Sequence, residues 1–106
     1  MIIVTGGKNQ GKTEFVLENF KGMRIVNGFH IFMKEQLAKG GSTEELIQKM
    51  LDEADIVICD EIGNGIVPID AFDRQWREET GRAMCQLSKN AEAVYRVCAG
   101  IAQRIK

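Results

Sequence analysis

The sequence predicts an α/β fold, a three-layer domain around a small, mostly parallel sheet of four to five strands. Three observations predict it. Short apolar runs rich in β-branched residues alternate with longer segments of helical periodicity. The third run, Ile56 to Cys59, is apolar throughout, as in a strand covered on both faces. Glycine-rich stretches follow the first and third runs, at the strand ends where ligands of parallel sheets bind.

Each element has a local reason. "MIIVT" at the start reads as a buried strand ended by glycine. A helix opens near Gly11 to Thr13 and runs to Phe20, with Val16 and Phe20 on one face, and Gly22 stops it. "MRIVNG" supplies a second strand, and Phe29, Met33 and Leu37 recur every fourth residue in the helix after it. Ser42 with Glu45 has the form of a capping box for a third helix, whose buried stripe is Leu46, Ile47, Met50 and Leu51. "DIVICDE" is the third strand, followed by a loop that ends at the only proline, Pro68. Asp70 caps a long helix that turns Phe72, Trp76, Ala83 and Leu87 inward. "AVYRVCA" gives a fourth strand and "QRIK" a short edge strand. Strands alternating with helices imply parallel pairing through right-handed crossovers.

Composition narrows the functional classes. With 106 residues the expectation is one domain spanning residues 1–106. Lys+Arg 14 against Asp+Glu 15 gives a formal charge of -1, which argues against a broad basic surface for nucleic acid. No apolar run approaches the ~20 residues of a membrane span, and no secretory pattern is visible, so the expected location is cytoplasmic. Cys59, Cys85 and Cys98 are widely spaced and read as small buried apolar residues rather than metal ligands.

The chemistry is concentrated in "GGKNQGKT". Gly6, Gly11, Lys12 and Thr13 match the phosphate loop G-x-x-x-x-G-K-[ST] in full, between a strand and a helix. The motif places the domain among P-loop NTPase-like folds. Gly6, Gly7, Lys8, Asn9, Gln10 and Gly11 would turn their N–H groups on nucleotide phosphates, aided by the helix dipole. Lys12 would reach the terminal phosphates, and the Thr13 hydroxyl would ligate Mg2+. Asp60 and Glu61, at the end of the third strand, form the second constellation. Asp60 is the candidate second Mg2+ ligand, and Glu61 a group that polarises the attacking hydroxyl. On the long helix, Arg82 beside Gly81 is a candidate phosphate contact, whereas Arg74 reads as a surface residue paired with Glu78. His30, the single histidine, leaves the second strand on the same rim, either as a proton shuttle or acceptor of a transferred group, or as a surface or helix-start residue.

These segments together resemble a known family. The run Asp60-Glu61-Ile62-Gly63-Asn64-Gly65-Ile66-Val67-Pro68 is similar to the N-E-V-G-x-G-I-V-P signature of the bifunctional adenosylcobinamide kinase and adenosylcobinamide-phosphate guanylyltransferases of cobalamin synthesis. Arg74, Trp76, Arg77, Glu78, Gly81 and Arg82 meet the family's R-x-F-R-D-x-x-G-R. Val94, Tyr95, Val97, Gly100 and Ile101 meet its V-Y-x-V-x-x-G-I. The resemblance implies a transferase that binds ATP or GTP with Mg2+, a cobinamide-type acceptor, and homo-oligomers. Members are longer, and this chain lacks their middle segment. The H-x-x-x-R neighbourhood of the guanylyl-accepting histidine has no counterpart. The family's acidic D-C-L-T aligns with Asn27 to His30, so Asn27 stands where an aspartate is expected. Its N-Q after the helix's G-R is Met84 and Cys85 here. Three functional readings stand: a nucleotide-dependent phosphotransferase of cobinamide-kinase type with guanylyltransferase as an associated activity, a nucleotide-binding module or partner subunit derived from it, or a phosphate loop used by a different small-molecule kinase.

Overall fold

A computed structural model describes residues 1–63 and 68–106. The signature residues Asn64, Gly65, Ile66 and Val67 lie outside the described residues. The elements follow in the order β1 (Ile2–Gly6), α1 (Lys12–Asn19), β2 (Ile25–Asn27), α2 (Phe29–Ala38), α3 (Thr43–Glu53), β3 (Ile56–Asp60), α4 (Ala71–Asn90), β4 (Ala93–Cys98) and β5 (Ile101–Arg104). The sheet order is β2-β3-β1-β4-β5. The first four strands pair in parallel, and β5 returns antiparallel on β4.

Period-two alternation divides the interior into two layers. Ile3, Val57, Cys59 and Val94 face one way and pack with Phe29 and Met33 of α2, Leu46, Ile47 and Met50 of α3, and Ala83 and Leu87 of α4. Val4, Ile56, Ile58 and Val97 face the other way against Val16 of α1. Phe15, Phe20 and Tyr95 close that second layer, with ring centroids 5.2 to 5.9 Å apart. Among the described residues the sheet is therefore covered by three helices on one face and by one on the other.

The caps form as the sequence requires. The Ser42 hydroxyl accepts from the Glu45 N–H at 3.2 Å, and the Asp70 carboxylate accepts from the N–H groups of Phe72 and Asp73. Two expectations need correction. Phe72 is only half-buried, because Thr80, Ala83 and Leu87 form the buried line of α4. Arg74 does not pair with Glu78; it donates to the Pro68 and Ile69 carbonyls and closes the start of α4. Arg82 instead makes the helix-surface pair, with Glu79 at 3.0 Å.

The cysteines also divide. Cys59 is buried in β3, but Cys85 and Cys98 are exposed. Burial pushes the Cys59 thiol up to about 12, since a thiolate there would forgo its hydration. At pH 8, a thiol-specific chromogenic reagent is expected to label two thiols of the native protein quickly and the third only after denaturant is added. Rapid labelling of all three would show that β3 is open to solvent.

Candidate functional site

β1 and β3 run in parallel with Gly6 opposite Asp60, so the phosphate-loop segment and the acid pair leave the sheet side by side. β2 pairs with the other side of β3 and brings Asn27 and His30 to the same end. Lys8 to Glu14, Asn27, His30 and Asp60 together line a cavity of about 410 Å³.

The loop's backbone accounts for its sequence. Asn9 has φ 58° and Gly11 φ 95°, both in the left-handed region, which asparagine tolerates and glycine favours. A Cβ at Gly11 would come within 3.2 Å of the Gly100 Cα in the β4–β5 turn. That turn also straps the loop. The Gly100 N–H donates to the Gln10 carbonyl at 2.8 Å, and the Ala99 N–H donates to Gln10 Oε1 at 2.7 Å. Gln10 thus spends its side-chain oxygen on the hairpin. Gly11 offers no side chain to cap α1, so the first turn of α1 receives no capping bond from it.

Lys12 is 6% exposed, and its ammonium is held between the Gly7 carbonyl at 2.6 Å and Asp60 Oδ1 at 2.8 Å. A buried charge is retained only when paired and hydrogen-bonded, and both conditions are met here. The Thr13 hydroxyl accepts from Asn27 Nδ2 at 3.1 Å. The residue in place of the expected aspartate therefore touches the candidate metal-binding hydroxyl but brings no negative charge.

His30 folds over Asp60. Its Nδ1 accepts the Asp60 backbone N–H at 3.1 Å, and its Nε2 lies 3.3 Å from Asp60 Oδ2. An Nδ1 that accepts carries no hydrogen, so the proton sits on Nε2 and points at the carboxylate. Burial lowers the His30 pKa, Asp60 opposes that shift and Lys12 adds to it, so the ring is neutral at pH 7. Trp76 Nε1 donates to the His30 carbonyl at 2.7 Å, and the two rings stack with centroids 6.5 Å apart. The helix-start reading of His30 fits this placement, with the ring orienting Asp60.

Glu61 turns away from Lys12. Successive strand residues point to opposite sides, and Glu61 meets Arg96 of β4 through two bonds of 2.8 and 3.1 Å. It lines a second cavity, also about 410 Å³, that adjoins the first at Asp60. Of the candidate site residues, Lys8, Asn9, Gln10, Gly11, Lys12, Thr13 and Asp60 line one cavity. Gly6 ends β1 and Gly7 begins the loop that follows it. The Arg82 guanidinium does not join them; it is largely solvent-exposed beside Glu79.

The family model for "Cobinamide kinase / cobinamide phosphate guanyltransferase" matches residues 26–105, about three quarters of the chain. The chain belongs to this family. The match begins after the phosphate loop, so the family assignment does not rest on the loop motif. A search of curated proteins found no match. Membership places the protein with the kinases and transferases of cobalamin biosynthesis, activities that draw on nucleoside triphosphates. Among the described residues no helix is long and apolar enough to cross a membrane.

Three contacts at the site escaped sequence reasoning: Asn27 with Thr13, His30 with Asp60, and Glu61 with Arg96. Each joins residues from different elements and depends on strand order. The residue spacing within a motif carries no signal for it.

Proposed function

We propose that the protein is a nucleoside-triphosphate-dependent kinase of the cobinamide type. The observation that carries this reading is the buried Lys12 ammonium, held at the start of α1 by the Gly7 carbonyl and by Asp60. The residues present suit a nucleotide. A helix start without a side-chain cap and a loop with left-handed turns at Asn9 and Gly11 favour a polyanion. The Thr13 hydroxyl and the Asp60 carboxylate are oxygen donors of the type Mg2+ takes, and bound there the ion would neutralise charge on the phosphates.

In the proposed reaction the acceptor's hydroxyl oxygen bonds to the γ-phosphorus. The bond from that phosphorus to the β–γ bridging oxygen breaks, and its electron pair leaves with the nucleoside diphosphate. Lys12 stabilises the charge gathered on the leaving oxygens, as expected where catalysis is mainly positioning and electrostatics. Glu61 takes up the hydroxyl proton while Arg96 holds the carboxylate in place. His30 keeps Asp60 oriented. We assign no covalent guanylyl transfer to His30, because its Nδ1 is engaged by backbone and its Nε2 faces Asp60.

A second reading, a nucleotide-binding module without turnover, is favoured by Asn27, which supplies no anion beside Thr13. One assay separates the two. With Mg2+ and labelled ATP or GTP, phosphate is expected to pass to adenosylcobinamide, and Asp60→Asn is expected to lower kcat at least 100-fold. Tight nucleotide binding with no transfer to any cobinamide acceptor would establish the module instead.

A further inference from the structure

The cavity on the far side of Asp60 lies between the end of β3 and the middle of α4, and the phosphate loop does not reach it. Its wall contains the one buried side-chain polar atom without a hydrogen-bond partner among the described residues, Thr80 Oγ1, on a residue only 2% exposed. A buried hydroxyl without a partner costs about 1–3 kcal/mol, a cost a ligand that bonds to it would remove. On the same helix Gly81 leaves open space where a side chain would project, and Ile62 and Met84 contribute apolar surface. The charges at the rim are already engaged. Asp60 faces Lys12, Glu61 faces Arg96, and Arg77 donates to the Gly63 carbonyl. Such a cavity suits a neutral ligand with a hydroxyl or amide and a short aliphatic body.

Resting on the kinase reading above, we infer that this cavity is the acceptor subsite. It takes the hydroxyl-bearing arm of the acceptor, with Thr80 bonded to a polar atom of that arm and Gly81 admitting it. At about 410 Å³ it is near the lower end of ligand sites, large enough for an arm while a macrocycle stays outside. Asp60 borders both cavities, so an arm seated here brings its hydroxyl to the wall shared with the phosphate loop.

Two variants test it. Gly81→Leu fills the space from a helical position where the glycine itself is unfavourable, so the fold is retained. Thr80→Val keeps the shape and removes the hydroxyl. Calorimetry with cobinamide is expected to show affinity falling at least tenfold in Gly81→Leu and about five- to tenfold in Thr80→Val. ATP and GTP affinities should stay within twofold of the parent. Unchanged cobinamide affinity in both variants, with the parent binding it, overturns the subsite and leaves the kinase reading standing. Loss of nucleotide rather than cobinamide affinity would place the nucleotide base in this cavity and also overturn it. A parent protein that binds ATP or GTP but no cobinamide removes the acceptor reading itself, and the subsite falls with it.

Discussion

Lys12→Ala is expected to weaken ATP and GTP binding at least 100-fold in calorimetric titration, the largest loss for any single side chain at the loop. The Lys12 side chain is 6% exposed, and its ammonium lies between the Gly7 carbonyl and Asp60. A charge-assisted hydrogen bond contributes about 1.5–3 kcal/mol, and a terminal phosphate offers more than one such acceptor. A second effect adds to this one. Without the ammonium, the Asp60 carboxylate keeps His30 as its one side-chain partner among the described residues and repels the incoming phosphates. Lys12→Arg should restore little, because the planar guanidinium does not fit a position held by two oxygens less than 3 Å from a compact point charge. Asp60→Asn in the Lys12→Ala background should recover part of the affinity by removing the repulsion. If Lys12→Ala binds ATP and GTP as the parent does, the phosphates do not lie on this loop, and the kinase reading fails with it.

The elements were legible in the sequence because each is fixed locally. The Ser42 and Asp70 caps, the four-residue rhythm of Phe29 and Met33, and the apolar β3 run are short-range patterns, and each element lies within a residue or two of its expected place. Both families of inward residues follow from alternation alone. The site was legible in outline, since loops after parallel strands gather at one rim. Its internal pairings were not. Asp60 and Glu61 are neighbours in sequence, yet Asp60 meets Lys12 while Glu61 meets Arg96, and only Asp60 also borders the phosphate-loop cavity. Which acid meets Lys12 depends on β3 lying next to β1, and which meets Arg96 depends on β4 flanking β1 on the other side. The exposed Cys85 and Cys98 show the same limit. Cys85 falls on the outer face of α4 and Cys98 at the end of β4, positions that the scarcity of cysteine does not reveal.

Gly6 has two roles that the motif pattern does not separate, and its substitution is expected to be the most damaging single change to the fold. Gly6→Ala should lower Tm by more than 10 °C in a calorimetric or circular-dichroism melt. A Cβ built at Gly6 would lie 2.3 Å from the Val97 carbonyl oxygen, and φ 152° is a backbone conformation that alanine rarely adopts. The obstructing atom is backbone of β4, a strand paired along its length with β1 and β5, so it cannot swing aside as a side-chain tip would. Overpacking costs about 1–3 kcal/mol and a left-handed non-glycine residue about 1–2 more. For a chain of this length each kcal/mol is worth roughly 4–8 °C. Gly7→Ala supplies the contrast within the same turn. Its added Cβ would meet only Gln10 Cγ at 3.5 Å, an ordinary contact, so Tm should move by no more than about 3 °C. A phosphate-only role for Gly6 predicts the opposite pattern, with Gly6→Ala melting like the parent while nucleotide affinity falls. The separation of Gly6 from Gly7 in thermal stability therefore tests whether the first glycine of the motif is held by the neighbouring strand.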